Sequence, residues 1–270
     1  MAYGEPMNAL GKARSASRHR IVVALLDRVP GRFSRELGLD LAKPQDVFLW
    51  FLAAILFGAR ISGALAVRTF REFVSRGLVT PERIVRQGWD GLVDVLDAGG
   101  YARYDFKTAS KLLEVMQNLL RHYEGDLSAL HEAARDARDV ERRLKALGKG
   151  IGDTTVQIFL RELRDYWAKA DPPLSPLAEL AARHLGLLDD KRRTETPLPA
   201  LTRCWKASGR TDCTFSDFEA ALVRVGRDYC RRHRQTQCPM REFCGARPVP
   251  DDLFGNGVGR SQARSSGGSR

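Results

Sequence analysis

The sequence predicts an all-α protein. Three observations carry that prediction: apolar residues recur at helical spacing through most of the 270 residues, no stretch alternates with period two long enough to make a strand, and no internal repeat of 20 to 50 residues points to a solenoid. Taken in chain order, residues 1–20 hold a net charge of +3 with no apolar period and are expected to form a disordered basic arm. Ile21 to Val29 reads as a helix stopped by Pro30. Pro44 and Asp46 open a segment from Val47 to Ala66 that is apolar on every face, which predicts one long, central, buried helix. Thr80 before Pro81 and Glu82 is an N-cap with proline at the first helical position. Further helices are expected over 90–97, 105–123, 126–134, 137–147, 153–168, 175–186 and 215–229. Residues 251–270 end in a Gly/Ser/Arg tail with nothing to bury, and disorder is expected there too.

Charge narrows the function. The net charge is +11, and residues 191–250 hold 13 Lys and Arg against 6 Asp and Glu, a net of +7. A polyanion is the partner this balance predicts. The longest apolar run, Val47 to Ala59, has 13 residues, where about 20 are needed to span a bilayer, so no membrane partner is expected. The first 20 residues lack the apolar stretch of a secretory signal, which predicts a cytoplasmic protein whose thiols are reduced or metal-bound. All five cysteines fall between Cys204 and Cys244, within the basic segment.

The most informative motif is Leu147-Gly148-Lys149-Gly150-Ile151-Gly152-Asp153-Thr154-Thr155, set between two amphipathic helices. Two glycines bracketing an apolar residue make a tight hairpin. Ile151 then points inward, and the Gly150 and Gly152 backbones are free to approach a ligand. The unpaired N–H groups at the start of the following helix suit a phosphate. This is a helix-hairpin-helix element for gripping a nucleic-acid backbone; an ordinary helix-helix turn with a glycine C-cap has the same local signature.

Four segments in order resemble the endonuclease III-like DNA glycosylases of the helix-hairpin-helix superfamily, across roughly residues 20 to 246. They are FLAAILFGARISGALAVRTF, GLVDVLDAGGYARYDFKTASKLLEV, the hairpin LGKGIGDTT, and VGRDYC leading into a cysteine loop. The resemblance implies two helical domains, a six-helix barrel over about 45–160 and a second domain of 21–44 plus 161–250, with double-stranded DNA and a flipped base at the cleft between them. A monomer is expected. It also implies that Asp171 in KADPPLSP is the catalytic carboxylate, which would stabilise positive charge developing on the sugar as the N-glycosidic bond breaks. Pro172, Pro173 and Leu174 replace the polar and basic residues usual after it, and Asp before Pro is also common turn chemistry. Thr154 occupies the position of the lysine nucleophile of bifunctional members. A hydroxyl cannot form an imine, so the expected enzyme releases a base without cutting the strand. Lys149, Gly150, Gly152, Thr154 and Thr155 are the expected DNA contacts in the hairpin, and Arg60 the long polar side chain where the family inserts into the duplex.

The terminal loop reads Cys230-x7-Cys238-x5-Cys244. The family's pattern, Cys-x6-Cys-x2-Cys-x5-Cys, binds a 4Fe-4S cluster, and here the second cysteine is missing. Cys213 is the first candidate to complete the set with Cys230, Cys238 and Cys244, with Cys204 and His233 as alternatives. A zinc site of three Cys and one His, or a loop of reduced thiols, reads the same residues differently. Trp50, Phe51 and Phe57 are expected in the core, whereas Tyr101 and Tyr104 beside Gly99 and Gly100 are candidates for the cleft. The expected function is a monofunctional DNA glycosylase. The alternative is a DNA-binding protein of this fold that has lost the chemistry.

Overall fold

The computed structural model describes residues 6–59, 61–101, 105–188 and 196–245, and every regular element among them is helical. Helix α1 (Pro6–Arg28) begins inside the stretch expected to be a disordered arm. Proline at its first position and the Ala, Leu, Lys and Arg that follow favour helix, which corrects that expectation from residue 6 onward. Its second half buries Ile21, Val22 and Leu25, and α1 packs on α11 and α12, defined below. The short α2 (Phe33–Glu36) is fastened by Glu162, whose carboxylate accepts the N–H groups of Phe33 and Ser34, both at 2.9 Å.

Helix α3 (Pro44–Phe57) buries every residue from Val47 to Leu56, as an all-apolar surface requires. It does not run on to Ala66. The chain leaves the helix at Gly58, and Ser62, accepting the Leu65 N–H at 3.2 Å, caps a separate α4 (Gly63–Ser75). A Cβ at Gly58 would collide with Thr155 Oγ1, so the break also permits a close approach of another helix. Trp50 and Phe51 are fully buried, and the Trp50 indole donates to the Phe159 carbonyl at 3.1 Å.

Helix α5 (Pro81–Ala98) is capped by Thr80 as the sequence predicts, and its second half, beyond the non-helical Gly88, is the helix expected over 90–97. It pairs with α6 (Asp105–Tyr123). Asp126 and Asp136 cap α7 (Leu127–Ala133) and α8 (Ala137–Ala146), and α9 (Asp153–Arg161) follows the hairpin. The expected continuation of α9 to residue 168 is not seen: the helix ends at Arg161, and its C-cap Glu162 accepts the α2 amides. Then come α10 (Pro176–His184), α11 (Pro197–Lys206), which the sequence pattern did not predict, and α12 (Phe215–Val225), prolonged by a π-helical turn over Gly226–Cys230.

Contacts sort these helices into two groups. α3 packs against α4, α7 and α9, whereas α12 packs against α1, α10 and α11. One continuous apolar cluster runs through both. No helix among the described residues is long and apolar enough to cross a membrane.

Candidate functional site

The hairpin between α8 and α9 has the geometry its glycines allow. Gly150 adopts φ +95°, a region open to glycine, and the Ile151 N–H closes the turn on the Gly148 carbonyl at 3.2 Å. Ile151 is buried, while Lys149, Gly150, Gly152, Asp153 and Thr154 are exposed. Gly152 is the N-cap of α9 with no side chain over it, so the first amides of that helix face outward. Lys111 of α6 runs beside Gly150, and burial lowers its ammonium pKa. Asp153 pairs with Lys145 and lies on the same helix end. Thr155 departs from expectation. It is 4% exposed and packs on Gly58 at the end of α3, so it is a packing residue locking α9 to α3 and not a contact residue. Arg60 and Tyr104 lie outside the described residues, and Tyr101 is buried in the core instead of facing a cleft.

Asp171 sits on an exposed loop clamped to α9. Gln157 Nε2 donates to the Pro173 carbonyl at 3.2 Å, and Arg164 donates to the Pro172 carbonyl at 2.5 Å and to the Asp171 carboxylate at 3.1 Å. Gln157 follows Thr154 by three residues, and side chains at that spacing share one helix face. The loop bearing Asp171 is therefore held against the face of α9 that carries Thr154. The Asp171 side chain is 72% exposed, open to a ligand.

Arg164 ties this loop to a buried polar seam between the two helix groups. Its Nε donates to Glu219 of α12 at 2.9 Å, and Glu219 is completely buried. Around Phe33 stand three guanidinium groups, those of Arg224 at 3.8 Å, Arg227 at 5.1 Å and Arg161 at 5.3 Å from the ring centroid. Arg32 and Arg35 pair with the buried Asp217. Arg227 also reaches the start of α4 beside Gly63, so the α3–α4 loop, the start of α9 and the seam adjoin one another. None of Arg32, Arg161, Arg164, Glu162, Glu219 or Arg224 was legible as a site residue; they are far apart in sequence, and a lone charge in an amphipathic pattern reads as solvated.

The cysteines divide. Cys230 and Cys238 are buried and Cys244 is half-buried; burial first, and then the neighbouring Cys238 and Cys244 thiols, push the Cys230 thiol up to about 12. Burial likewise raises Cys238 and Cys244. Cys230 therefore lies near the Cys238 and Cys244 thiols, and Cys238 near Cys244. Cys213 does not join them. It precedes α12, whereas Cys230 ends the π turn at the other end, about 20 Å along the helix at ~1.5 Å per residue, and its neighbours are Asp212, Trp205 and Arg210. Cys213 is thereby removed from the ligand set. Cys204 belongs to α11 and approaches the Leu187 carbonyl, and His233 is exposed in the loop. Among the described residues, no three His, Cys, Asp or Glu side chains are arranged to hold a single metal ion. Arg232 and Arg234 beside Cys230 are exposed. No protein-family model and no curated protein matches the chain.

Proposed function

We propose that the protein is a monofunctional DNA glycosylase that excises a damaged or mismatched base from duplex DNA, with Asp171 as its catalytic carboxylate. The observation that carries this reading is the tie of the Asp171 loop by Gln157 onto the α9 face that bears Thr154, with Arg164, just beyond that helix, holding the Asp171 carboxylate. The outward amides of α9 and Gly150, with Lys149 and Lys111 beside them, would take a backbone phosphate and leave the sugar near the loop. The exposed Asp171 carboxylate would stabilise the cationic sugar as the base departs and help orient water. Thr154 has no amine to attack the sugar, so an abasic site is the product. Arg164, shared between Asp171 and the buried Glu219, fixes the loop; it is a positioning residue.

Two helical domains, one ending in the hairpin and the other holding the cysteine loop, belong to this reading, as does a 4Fe-4S cluster on Cys230, Cys238 and Cys244. A cluster that takes one protein ligand per iron does not need its ligands to converge on one ion. Its role would be structural, holding the exposed arginines of the loop toward phosphate.

A second reading is a DNA-binding protein that excises nothing. It is favoured by the ion pair that occupies Asp171 and by the acidic Asp153 at the phosphate-facing helix end. Incubating the protein with duplexes bearing a panel of lesions and mismatches, and scoring alkali-labile sites, separates the two. Breaks at one lesion class support the enzyme. Binding to the panel with no breaks supports the second reading.

A further inference from the structure

Two of the large apolar side chains left exposed among the described residues lie against each other: Trp89 of α5 is 39% exposed and Phe106 of α6 is 59% exposed. Their rings stack, with centroids 5.3 Å apart and planes inclined by 26°. Polar bonds hold the pair where burial does not. The Trp89 indole donates to Ser110 Oγ at 3.0 Å, and the Ser110 hydroxyl donates to the Phe106 carbonyl at 2.9 Å. Gly88, at φ +71°, breaks α5 immediately before Trp89 and so sets where the indole-bearing half begins. A single exposed ring needs no account, but two rings fixed together in water make a patch of the kind that marks a contact site.

Charge beside the patch selects its occupant. Lys107 follows Phe106, and Lys111 lies one turn further along the same side of α6, so positions 106, 107, 110 and 111 share one surface. The Lys111 side chain ends beside Gly150 in the turn between α8 and α9, where Lys149 is exposed. Phe106 precedes Lys111 by five residues, about 7–8 Å at ~1.5 Å per residue, or roughly two nucleotide steps at ~3.4 Å each. Asp90 and Asp105 adjoin the rings, and Asp105 accepts the Phe106 N–H at 2.8 Å. Their charge disfavours a phosphate on the rings themselves. A neutral base there, with its phosphates toward Lys107 and Lys111, fits the distribution.

We propose that Trp89 and Phe106 form a stacking platform for an unpaired nucleobase of the strand whose phosphate lies on the turn between α8 and α9. The proposal rests on the reading that this turn takes a nucleic-acid backbone. A base laid on either exposed ring face extends the existing stack and displaces water from it, and any base serves, since each has a π-face. The protein therefore favours DNA in which unpaired bases flank a duplex over fully paired DNA, whatever their sequence.

The test uses full-length protein as wild type, Trp89→Ala and Phe106→Leu, with three DNAs: a blunt duplex, the same duplex with undamaged single-stranded extensions at both ends, and that duplex with base-less sugar–phosphate extensions of equal charge. Affinity, tryptophan fluorescence and sedimentation are measured on each. Wild type should bind the base-bearing extensions about tenfold more tightly than the base-less ones, the scale of one stacked base. Its fluorescence should be quenched on binding, because Trp50 and Trp167 are buried, Trp205 is half-buried and Trp89 is open. Both variants should lose the preference and keep the affinity for blunt duplex, and Trp89→Ala should lose the quench. Wild type that is folded but binds none of the DNAs overturns the nucleic-acid reading and this proposal with it. Equal affinity for the two extended duplexes, or an equal loss on all three DNAs in the variants, overturns the platform alone. So does a wild-type dimer that dissociates in the variants, since a second copy then covers the rings. Should Trp89→Ala not fold, Phe106→Leu, which keeps an apolar side chain and removes the ring, still decides the matter.

Discussion

Removing Arg164 strips its hydrogen-bonded countercharge from a fully buried carboxylate, leaving the charge of the neighbouring Arg161. The Arg164 side chain is 9% exposed and Glu219 is 0% exposed; Arg164 Nε donates to Glu219 Oε2 at 2.9 Å, and Glu219 Oε1 has no hydrogen-bond partner among the described residues. Breaking a buried pair by deleting one member costs about 3–5 kcal/mol, because the survivor is left charged in a medium that solvates it poorly. In a chain of this size about 2–4 °C of melting temperature accompanies each kcal/mol, so Arg164→Met should melt on the order of 10 °C below wild type. The double variant Arg164→Met with Glu219→Leu should regain most of that loss, since an apolar pair of similar volume is often as stable as the ion pair it replaces. Calorimetry or urea unfolding of the four proteins in a double-mutant cycle measures the coupling directly. An Arg164→Met protein within about 1 kcal/mol of wild type would refute the reasoning.

Three further outcomes are expected. Glu162→Ala should destabilise by about 2–4 kcal/mol, since it leaves the buried amides of Phe33 and Ser34 without an acceptor, and faster hydrogen exchange confined first to α2 checks it. The Asp139 carboxyl is held well below its ordinary range, first by the Arg142 guanidinium, then by the Arg135 amide and Arg143. A depressed folded value gives stability that is present above the unfolded pKa and lost as pH falls. The gap between wild type and Asp139→Asn should therefore be full at neutral pH and close below about pH 4 in acid unfolding curves; a gap that is constant with pH contradicts it. Affinity for duplex DNA should fall steeply with salt, in proportion to the phosphates neutralised, and a titration showing equal affinity at 50 and 200 mM salt would count against a phosphate-binding hairpin.

Where the sequence carried explicit punctuation, the fold was legible. Thr80-Pro81 marks a helix start because the Thr80 side chain satisfies an amide that the helix cannot. The break at Gly58 was hidden, since the apolar run continues across it and the close approach of Thr155, which leaves no room for a Cβ there, is supplied only by the fold. Helix α11 was missed because Pro197 and Pro199, which lie in its first turn, read as loop. At the candidate site, the exposed glycines between α8 and α9 were legible from local residues, whereas Asp171 is implied only by the resemblance, since Asp before Pro reads locally as a turn. Thr155 was misjudged, because a threonine at a helix start reads the same whether its hydroxyl faces solvent or a neighbouring backbone. The seam of Arg161, Arg164 and Glu219 could not be read at all: what distinguishes it is burial and the presence or lack of a partner, which only the fold supplies.

The central claim is that an anion at Asp171 drives base release without covalent attachment, and one comparison tests it most directly. Wild type and Asp171→Asn are run in single turnover on the duplex cleaved best in the lesion panel, each with and without borohydride. Equal DNA affinity is expected, with base release slower by about a hundredfold or more in Asp171→Asn, the scale of losing one preorganised charge at a transition state, and no trapped adduct with wild type. Full base release by Asp171→Asn, or an efficient borohydride-trapped complex with wild type, would contradict it.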